Sequence, residues 1–377
     1  MQTSIYKDKL NNYWRNIDKK ILFCFILLFF LGLFFSFSST SFLAGERLNK
    51  DYYFFFFKHS IFVIFSLLIM FSISIIDLKF LKKLVLPIFI ILFIILLLVP
   101  IIGVEVKGSK RWLNLYFFRL QPIEFVKPFF ILFTAKILTH NNTNTSNSIY
   151  FLSFLVLLAI IILLINQPDL GQSILLIGTW ISIVFISGIN LFYIFGFFAF
   201  SAITIIGLLI NFPDKFGYIT NRLNVFFDPS KGDNFQSQKA LDAIKQGGLK
   251  GQGMGEGILK DSVPEAHTDY IIAVIAEEFG SIISILLVLI FLYITFRIIK
   301  IIVSETDKSL KISLCGLSTL LIFQTFIHIG VNTSLLPTTG MTLPFLSYGG
   351  SSLFGSAILA GVILNFTQNR FIDHEIE

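Results

Sequence analysis

Long apolar stretches alternate with short polar segments along almost the whole chain. A helix needs about 20 predominantly apolar residues to cross the hydrocarbon core of a bilayer. Ten stretches come close to that length, at about residues 21–44, 53–76, 84–104, 122–139, 149–166, 171–189, 191–212, 269–298, 308–334 and 351–367. The pattern therefore predicts an all-α integral membrane protein with ten transmembrane helices.

The composition supports a membrane protein and excludes an ordinary soluble domain. Of the 377 residues, 55% are hydrophobic, 46 are Phe and only 14% are charged, whereas about a quarter of residues are charged in soluble domains. Cys24 and Cys315 both fall in apolar stretches, where a free Cys acts as a small apolar residue. We expect neither a disulfide framework nor a zinc site.

The positions of the cations predict the orientation in the membrane. Lys and Arg concentrate in cytoplasmic loops, and the N-terminal tail (residues 1–20) contains five of them. A cytoplasmic N-terminus puts most other loop cations on the same side, namely Lys79, Lys82, Lys83, Arg297, Lys300, Lys308, Lys311 and Arg370. We therefore expect a membrane domain over 21–367, a cytoplasmic C-terminal tail at 368–377, and one large extracytoplasmic loop at 213–268 between helices 7 and 8.

The loop before the fourth apolar stretch carries cations on the outer side. Lys107, Lys110, Arg111 and Arg119 stand there against one acid, Glu105. This placement runs against the usual bias of positive charge towards the cytoplasm. Contact with an anionic ligand is therefore favoured over a membrane anchor, above all for Arg111 and the Trp that follows it.

The fourth and sixth apolar stretches begin with charged residues. Glu124 and Lys127 are three residues apart on one helix face, close enough to pair, and the pair is either functional or structural. Asp169 suits the first turn of the sixth helix, where a carboxylate favours the positive end of the helix dipole. Taken alone, Asp169 is a helix cap.

Two further polar segments lie on the predicted outer side. The segment SYGGSS includes Ser347, Gly349, Gly350 and Ser351, and it exceeds what capping the tenth helix requires. The long loop contains Arg222 and a glycine run, GGLKGQGMGEG, which matches neither nucleotide-binding fingerprint. That run is either an anion-binding nest or a flexible loop. The loop has seven cations and seven acids, so we expect no nucleic acid partner.

The segment PEAHTDYIIAVIAEEFG, residues 264–280, places acids at the start of an apolar stretch. A helix that begins near Thr268 has Asp269 in its first turn, above the small residues Ala273, Ala276 and Gly280 on the same face. Glu277 and Glu278 point in different directions and need separate partners. Because acids at membrane depth are costly and usually functional, Asp269 is the main catalytic candidate.

Seven motifs in order resemble the SEDS family of bacterial cell-wall polymerases (shape, elongation, division and sporulation proteins): GSKRW, QPIEFVKP, QPDLG, RLNVFFDP, GGLKGQGMGEG, PEAHTDYIIAVIAEEFG and LPFLSYGGSS. The resemblance implies ten transmembrane helices and a peptidoglycan glycosyltransferase whose substrate is lipid II. The family's essential acid maps to Asp269, its Arg-Trp motif to Arg111 and Trp112, and its Glu/Lys pair to Glu124 and Lys127. Ile123 and Tyr270 are mild departures from the family pattern.

The resemblance also assigns roles by chemistry. A carboxylate at 269 can remove a proton from a sugar hydroxyl, and outward cations, or a divalent cation in their place, can stabilise the pyrophosphate that leaves. No other cofactor is expected. The candidate substrate-binding residues are Lys110, Arg111, Trp112, Glu124, Lys127, Asp169, Arg222, Glu265, His267, Ser347, Gly349, Gly350 and Ser351.

Within the family, the motifs GQGMGEG and GMTLPFLSYGGSS most resemble those of the division member, and the elongation member is the alternative. The division reading implies the bacterial inner membrane at the septum, a class B penicillin-binding transpeptidase as partner, and other division proteins around it. A lipid II flippase is a further alternative, but paired broken spans, which inverted-repeat transporters often show, are not evident in the sequence.

Overall fold

Helices make up most of the part of the chain that the structure, a computed structural model, describes: residues 11–39, 53–106, 108–115, 118–140, 147–211, 213–228 and 235–368. Most of the two predicted tails, and Lys107, lie outside it. The helices are α1 (Lys19–Ser39), α2 (Phe54–Ile75), α3 (Leu78–Ile102), α4 (Pro122–Leu138), α5 (Asn147–Asn166), α6 (Leu170–Ile186), α7 (Leu191–Asn211), α8 (Pro213–Phe227), α9 (Phe235–Gly247), α10 (Ile271–Ser304), α11 (Lys308–Asn332) and α12 (Gly350–Phe366).

Six of these helices are long and apolar enough to cross a membrane, namely α1, α2, α3, α5, α10 and α11. Helices α6, α12 and the Leu191–Thr204 part of α7 are apolar but shorter, and α4 carries three charged residues within its 17 positions. A helix lies at each of the ten predicted apolar segments. The mainly helical, multi-pass membrane architecture is therefore confirmed, whereas ten crossings stay a prediction.

Helix α12 lies at the centre of the bundle, because 15 of its 17 residues are buried. Glycines let its neighbours come close. A Cβ on Gly355 would lie 2.7 Å from the carbonyl oxygen of Glu124 in α4, and one on Gly361 would lie 2.8 Å from that of Met70 in α2. Helices in membranes commonly pack through such small residues, whereas the large apolar side chains exposed on α2, α3 and α10 suit contact with lipid.

A small antiparallel sheet, which the sequence does not predict, follows α3. Its strands are β1 (Val104–Val106), β2 (Ser109–Asn114) and β3 (Arg119–Leu120), in the order β1-β2-β3. The strands are short and rich in charged residues, so their alternation gives no clear period-2 signal. Strand β2 carries Arg111 and Trp112 and fixes their direction.

Two amphipathic helices, α8 and α9, and a 3₁₀-helix at Leu259–Ser262 interrupt the predicted loop at 213–268. Helix α9 packs on α10, where Ala240 and Ala243 lie against Ala273 with no exposed surface. The expected close approach at the small residues of α10 is therefore present, and its partner is α9.

Helix α10 is broken at Gly280, which has φ 83° and ψ 169°. Chain from the glycine run lies in the break and supplies its hydrogen bonds. The Gln252 amide donates to the carbonyl of Glu277 over 2.8 Å, and the Ser281 amide donates to the carbonyl of Gly248 over 2.9 Å. Backbone groups at membrane depth need such partners. The glycine run therefore supplies hydrogen bonds that α10 cannot form within itself at the break.

The packing of this run explains its glycines. Gly251 has φ +82°, and a Cβ there would lie 2.2 Å from the carbonyl oxygen of Glu278. Gly255 has φ +83°, but nothing lies within 4 Å of its Cβ position. The interpretation as a flexible loop is wrong for Gly251, because residues 247–253 are clamped against α10.

The two glutamates of α10 bind different groups of one residue, Lys260, as well as one further amide each, so the expectation of separate partners is met only in part. The Glu277 carboxylate accepts hydrogen bonds of 2.7 Å from the backbone amides of Leu259 and Lys260. The Glu278 carboxylate pairs with the Lys260 ammonium and accepts a 3.2 Å hydrogen bond from the Gly255 amide. Both acids therefore hold the outer loop on α10.

Polar contacts collect at the two ends of the bundle. At the end predicted to be cytoplasmic, Arg297 pairs with Asp18 at 2.9 Å and Lys82 pairs with Asp307 at 2.7 Å. The predicted outer segments meet one another at the opposite end, and they form the candidate site.

Candidate active site

Residues 338–341, which we call the floor segment, join the candidate site residues of several helices. Arg222 of α8 donates from Nη1 to the carbonyl of Thr338 over 3.1 Å. Gly171 at the start of α6 packs so closely that its Cβ would lie 2.8 Å from Cβ of Thr339. A Cβ on Gly340 would lie 3.3 Å from Oδ2 of Asp269. The floor segment therefore lies between the start of α6, helix α8 and the Asp269 carboxylate.

Asp269 lies in a tight turn that precedes α10, not in the first turn of that helix. The carbonyl of Glu265 accepts from the amides of Thr268 and Asp269 at 3.1 Å and from that of Tyr270 at 3.3 Å. Glu265 itself has φ +57°, an unfavourable conformation for a residue with a side chain. The prediction that the helix begins near Thr268 is therefore wrong, and Asp269, half-buried, stands just before it.

Asn332 explains why α10 begins where it does. Its side chain is fully buried, and its Oδ1 accepts a 3.2 Å hydrogen bond from the Ala273 amide in the first turn of α10. Its Nδ2 donates to the carbonyl of Asp269 over 3.1 Å. Asn332 therefore caps the helix and holds the backbone of the candidate base, a role that the sequence does not reveal because Asn332 and Ala273 are 59 residues apart.

The chain around His267 is held by the segment before α12. Ser347 Oγ donates to the carbonyl of Thr268 over 2.6 Å and accepts from the Leu343 amide over 2.8 Å. The Tyr348 amide donates to the carbonyl of His267 over 2.9 Å, and their rings meet edge to face. The buried Ser347 side chain thus holds the turn in place. Burial also raises the pKa of Tyr348 to about 12.

Arg111 folds back onto the turn between α5 and α6 and does not extend outwards. Its Nε donates to the carbonyl of Gln167 over 2.7 Å, and its Nη2 donates to the carbonyl of Pro168. Its Nη1 lies 3.9 Å from Oδ2 of Asp169. The neighbouring Lys110 is exposed and Trp112 is half-buried, so Lys110 is the freer cation of the two.

Asp169 caps α6, as its position predicts, because its Oδ1 accepts a 3.3 Å hydrogen bond from the Gln172 amide. Burial raises the pKa of Asp169, and the charge of Arg111 opposes that rise. Burial, together with the positive charge of Arg111, lowers the pKa of Arg222. The Asp169 carboxylate opposes this effect, because its negative charge raises the pKa of Arg222 and it lies 3.9 Å from Arg111.

Glu124 and Lys127 form a buried ion pair with 2.9 Å between Oε2 and Nζ. Gln172 Nε2 donates to Glu124 Oε1 over 2.7 Å, and Lys127 Nζ donates to Gln324 Oε1 over 3.2 Å. Gln324 in turn donates to the carbonyl of Thr342, next to the floor segment. Neither glutamine is predicted from the sequence, because single Gln residues in apolar helices have no characteristic spacing.

The start of α12 orients α4 and β3. Ser351 Oγ accepts a 2.9 Å hydrogen bond from the Gln121 amide and donates to the carbonyl of Arg119 over 3.1 Å. Gly350 lies against the Phe62 ring, 3.1 Å from the position of its Cβ, and Gly349 precedes the helix. In the structure these three residues make scaffold contacts.

The acids of the site do not form a ready-made metal centre. Among the described residues, no three His, Cys, Asp or Glu side chains come together at metal-binding distance. Mg²⁺ is commonly held by one or two carboxylates together with phosphates of the substrate, and the half-buried Asp269 carboxylate is suitable for that arrangement.

The fold and site define a multi-pass helical membrane protein with a carboxylate and several cations gathered at one end of the bundle. A family model described as "Cell cycle protein", which covers FtsW, RodA and SpoVE, matches residues 18–371. The chain belongs to this family, and the resemblance to SEDS proteins is confirmed.

The relatives match over nearly their whole length. The "Probable peptidoglycan glycosyltransferase FtsW" of Caulobacter vibrioides is 31% identical over 362 residues, which are 96% of this chain and 92% of the relative. The "Stage V sporulation protein E" of Bacillus subtilis is 33% identical over 366 residues, 93% of this chain and 97% of the relative.

Two solved structures share the fold. One is described as "Structural coordination of polymerization and crosslinking by a peptidoglycan synthase complex", with a TM-score of 0.76, 24% identity and coverage of 93% of this chain and 97% of that one. The other is the rod shape determining protein RodA of Thermus thermophilus, with a TM-score of 0.68, 24% identity and coverage of 93% and 96%.

Proposed function

We propose that this protein is a peptidoglycan glycosyltransferase that polymerises lipid II at the outer face of the bacterial inner membrane. The observation that carries the proposal is the half-buried Asp269 carboxylate beside Gly340, where α6, α8 and α10 meet the floor segment. Support comes from relatives named for this activity that match more than nine-tenths of the chain.

In the proposed reaction, the Asp269 carboxylate removes the proton from a sugar hydroxyl of one lipid-linked glycan. The hydroxyl oxygen attacks the anomeric carbon of the second, and the bond from that carbon to the pyrophosphate breaks. The tight turn and Asn332 fix the Asp269 backbone, so the base is positioned before the substrate arrives. General base catalysis of this kind contributes about 10²–10⁴-fold to the rate.

The leaving pyrophosphate needs positive charge, which we assign to Lys110, Arg111 and Arg222. A divalent cation, when bound, would neutralise the same phosphates and be held by them together with Asp269. Trp112, Glu265 and His267 are the candidate sugar contacts. We propose that the remaining candidate residues contribute to substrate binding by positioning the chain around Asp269, since they make contacts within the protein: Asp169, Glu124, Lys127, Ser347, Gly349, Gly350 and Ser351.

We propose that all ten apolar helices cross the membrane, with both termini in the cytoplasm and residues 213–268 outside. The short helices α4, α6 and α12 have 17 residues each, which is the lower end of the length that a membrane-spanning helix needs. This topology puts the paired cations Lys82 and Arg297 inside, as the positive-inside rule requires, and puts Asp269 on the side of the glycan.

The division subtype is proposed from the FtsW names of several relatives and the wording of the glycine motifs. The division subtype implies a class B penicillin-binding transpeptidase and other division proteins as partners, and a location at the septum. Depletion in the native cell tests the subtype. Filaments with arrested septa are expected, whereas rounded cells that still divide would indicate an elongation polymerase of the RodA type.

The chemistry is tested with purified full chain in proteoliposomes, alone and with its transpeptidase, by following glycan polymer made from lipid II. Asp269→Asn keeps the shape of the side chain and removes its basicity, so polymer should disappear while the protein stays folded. Glu256→Gln, an exposed acid of the same outer loop, is the matched control and should polymerise normally. Near-normal turnover by Asp269→Asn would refute the base, and movement of lipid II without polymer would favour the flippase.

A further inference from the structure

A large cavity, of about 1090 Å³, lies at the end of the bundle opposite to Asp269. The end of α4, the start of α5, the turn between α6 and α7 and the start of α11 enclose it. Its lining is mainly polar and includes Thr139, Tyr150, Ser187, Tyr193, Lys308 and Lys311. Nothing in the proposed polymerase reaction uses this cavity.

The cavity presents positive charge. Within the described part of the chain, Lys308 and Lys311 make no ion pair, and both line the cavity. One acid, Asp307, also lines the cavity, but it is already bound to Lys82 Nζ at 2.7 Å and caps α11 through the amides of Ser309 and Leu310. Lys82 therefore compensates the charge of Asp307, and the positive end of the α11 dipole adds to the ammonium groups of Lys308 and Lys311.

Hydroxyl groups are held in place on the opposite wall. Ser187 Oγ donates to the Tyr150 hydroxyl over 3.2 Å, and the Tyr150 hydroxyl donates to the carbonyl of Ser187 over 3.3 Å. Asn147 Nδ2 donates to the Tyr193 hydroxyl over 3.1 Å. Two cations facing fixed hydroxyl and amide groups suit a phosphate that carries further hydroxyls, because both charge and hydrogen bonds are then matched.

The rim beside the cavity is apolar and exposed. Ile186, which also lines the cavity, is 45% exposed, and Leu191 and Phe192 on the adjacent start of α7 are 52% and 79% exposed. Acyl chains could run along this surface while a headgroup enters the cavity. A soluble phosphate compound would share the polar contacts but would make no use of the apolar rim.

We propose that this cavity binds the headgroup of an anionic phospholipid with a phosphate and free hydroxyls, as in phosphatidylglycerol, with the acyl chains along α6 and α7. Lys308 and Lys311 bind the phosphate, and Tyr150 and Tyr193 contact the glycerol. Anionic lipids attract lysines at the membrane surface in any case. The cavity adds selectivity for one headgroup to that general attraction.

The test is a titration of the purified full chain in neutral detergent, with bound lipid counted by native mass spectrometry. Phosphatidylglycerol is compared with phosphatidylcholine, and glycerol 1-phosphate tests the headgroup without chains. The variants are Lys308→Gln/Lys311→Gln and Lys308→Arg/Lys311→Arg. The matched control is Lys79→Gln/Lys83→Gln, two exposed lysines at the same end that do not line the cavity.

We expect phosphatidylglycerol to bind at least tenfold more tightly than phosphatidylcholine. The Gln variant should lose this preference, while the Arg variant and the Lys79/Lys83 control should keep it, all with unchanged Tm. Equal binding of the two lipids, or an equal loss in the control, would overturn the proposal. Displacement of the lipid by glycerol 1-phosphate at similar concentration would also overturn it in favour of a soluble ligand. Polymerase activity is not the readout, so this result is independent of the proposed function.

Discussion

Removing one member of the Glu124–Lys127 pair should destabilise the protein more than removing both charges. The side chains are only 4% and 3% exposed and lie 2.9 Å apart, so either charge left alone is buried without its partner. Such a loss costs about 3–5 kcal/mol. In Lys127→Met the Glu124 carboxylate keeps only the hydrogen bond from Gln172, which does not neutralise it.

The double variant Glu124→Gln/Lys127→Met leaves no buried charge. The new amide can still accept from Gln172, so the expected cost is the hydrogen bonds lost around Lys127, about 1–2 kcal/mol. The coupling energy between the two positions should therefore be several kcal/mol. Denaturant titration in mixed micelles, followed by tryptophan fluorescence, measures the free energy of unfolding of all four proteins.

The Lys82–Asp307 pair is the matched control, because it has a similar distance of 2.7 Å but side chains that are 33% and 41% exposed. Water screens such a pair, and its coupling should be about 0–1 kcal/mol. A double variant at 124 and 127 that is no more stable than the worse single variant would refute the reasoning. So would a coupling energy no larger than that of the exposed pair.

Three further outcomes are expected. Gly251→Ala should lower Tm much more than Gly255→Ala. Both residues have positive φ, which costs an alanine about 1–2 kcal/mol, but only at 251 would the new Cβ lie 2.2 Å from a backbone oxygen. Equal losses of Tm would contradict the close packing of residues 247–253 on α10. Arg111→Ala should reduce polymerisation strongly, and Arg111→Lys should restore it only in part. One ammonium cannot reproduce the hydrogen bonds of the guanidinium to two carbonyls. Equal turnover of both variants and the parent protein would rule out a role for Arg111. Burial raises the pKa of Asp307, but Lys82 and two backbone amides outweigh burial and hold this pKa below its ordinary value of 3.8. The stabilisation that ionised Asp307 provides is therefore complete above pH 3.8 and is lost as the pH falls through the lower, folded-state pKa. The difference in free energy of unfolding between the parent protein and Asp307→Asn should shrink on acidification, and a difference that grows would contradict the prediction.

The sequence predicts the architecture well and the local geometry of the site less well. Apolar stretches locate ten of the twelve α-helices described, since hydrophobic length is a strong signal, whereas α8 and α9 lie in a segment predicted to be a loop. The start of α10 is placed too early, because a turn centred on Glu265 and a cap from Asn332, 59 residues away from Ala273, decide where it begins. Neither contact is visible in the spacing of nearby residues.

The role of individual site residues divides in the same way. The Glu124–Lys127 contact follows from helical spacing alone, and the structure contains it. The direction of Arg111 does not follow from its charge, because strand β2 and the carbonyls of the α5–α6 turn set it. Charge patterns predict which side of the membrane a cation occupies, but only tertiary contacts determine what it touches.

The break in α10 has a consequence for how this protein is made. The chain that fills it is synthesised before the helix itself, and the Ser281 and Gly248 that join across it are only 33 residues apart. The entropy cost of closing a loop grows only slowly with its length, and both sides of this contact are synthesised before α11 begins. The helix can therefore be completed while α11 and α12 are still being synthesised. This half of the bundle would then assemble in stages. Residues 247–253 would supply the hydrogen bonds at the break, so that α10 enters the bilayer without unpaired backbone groups.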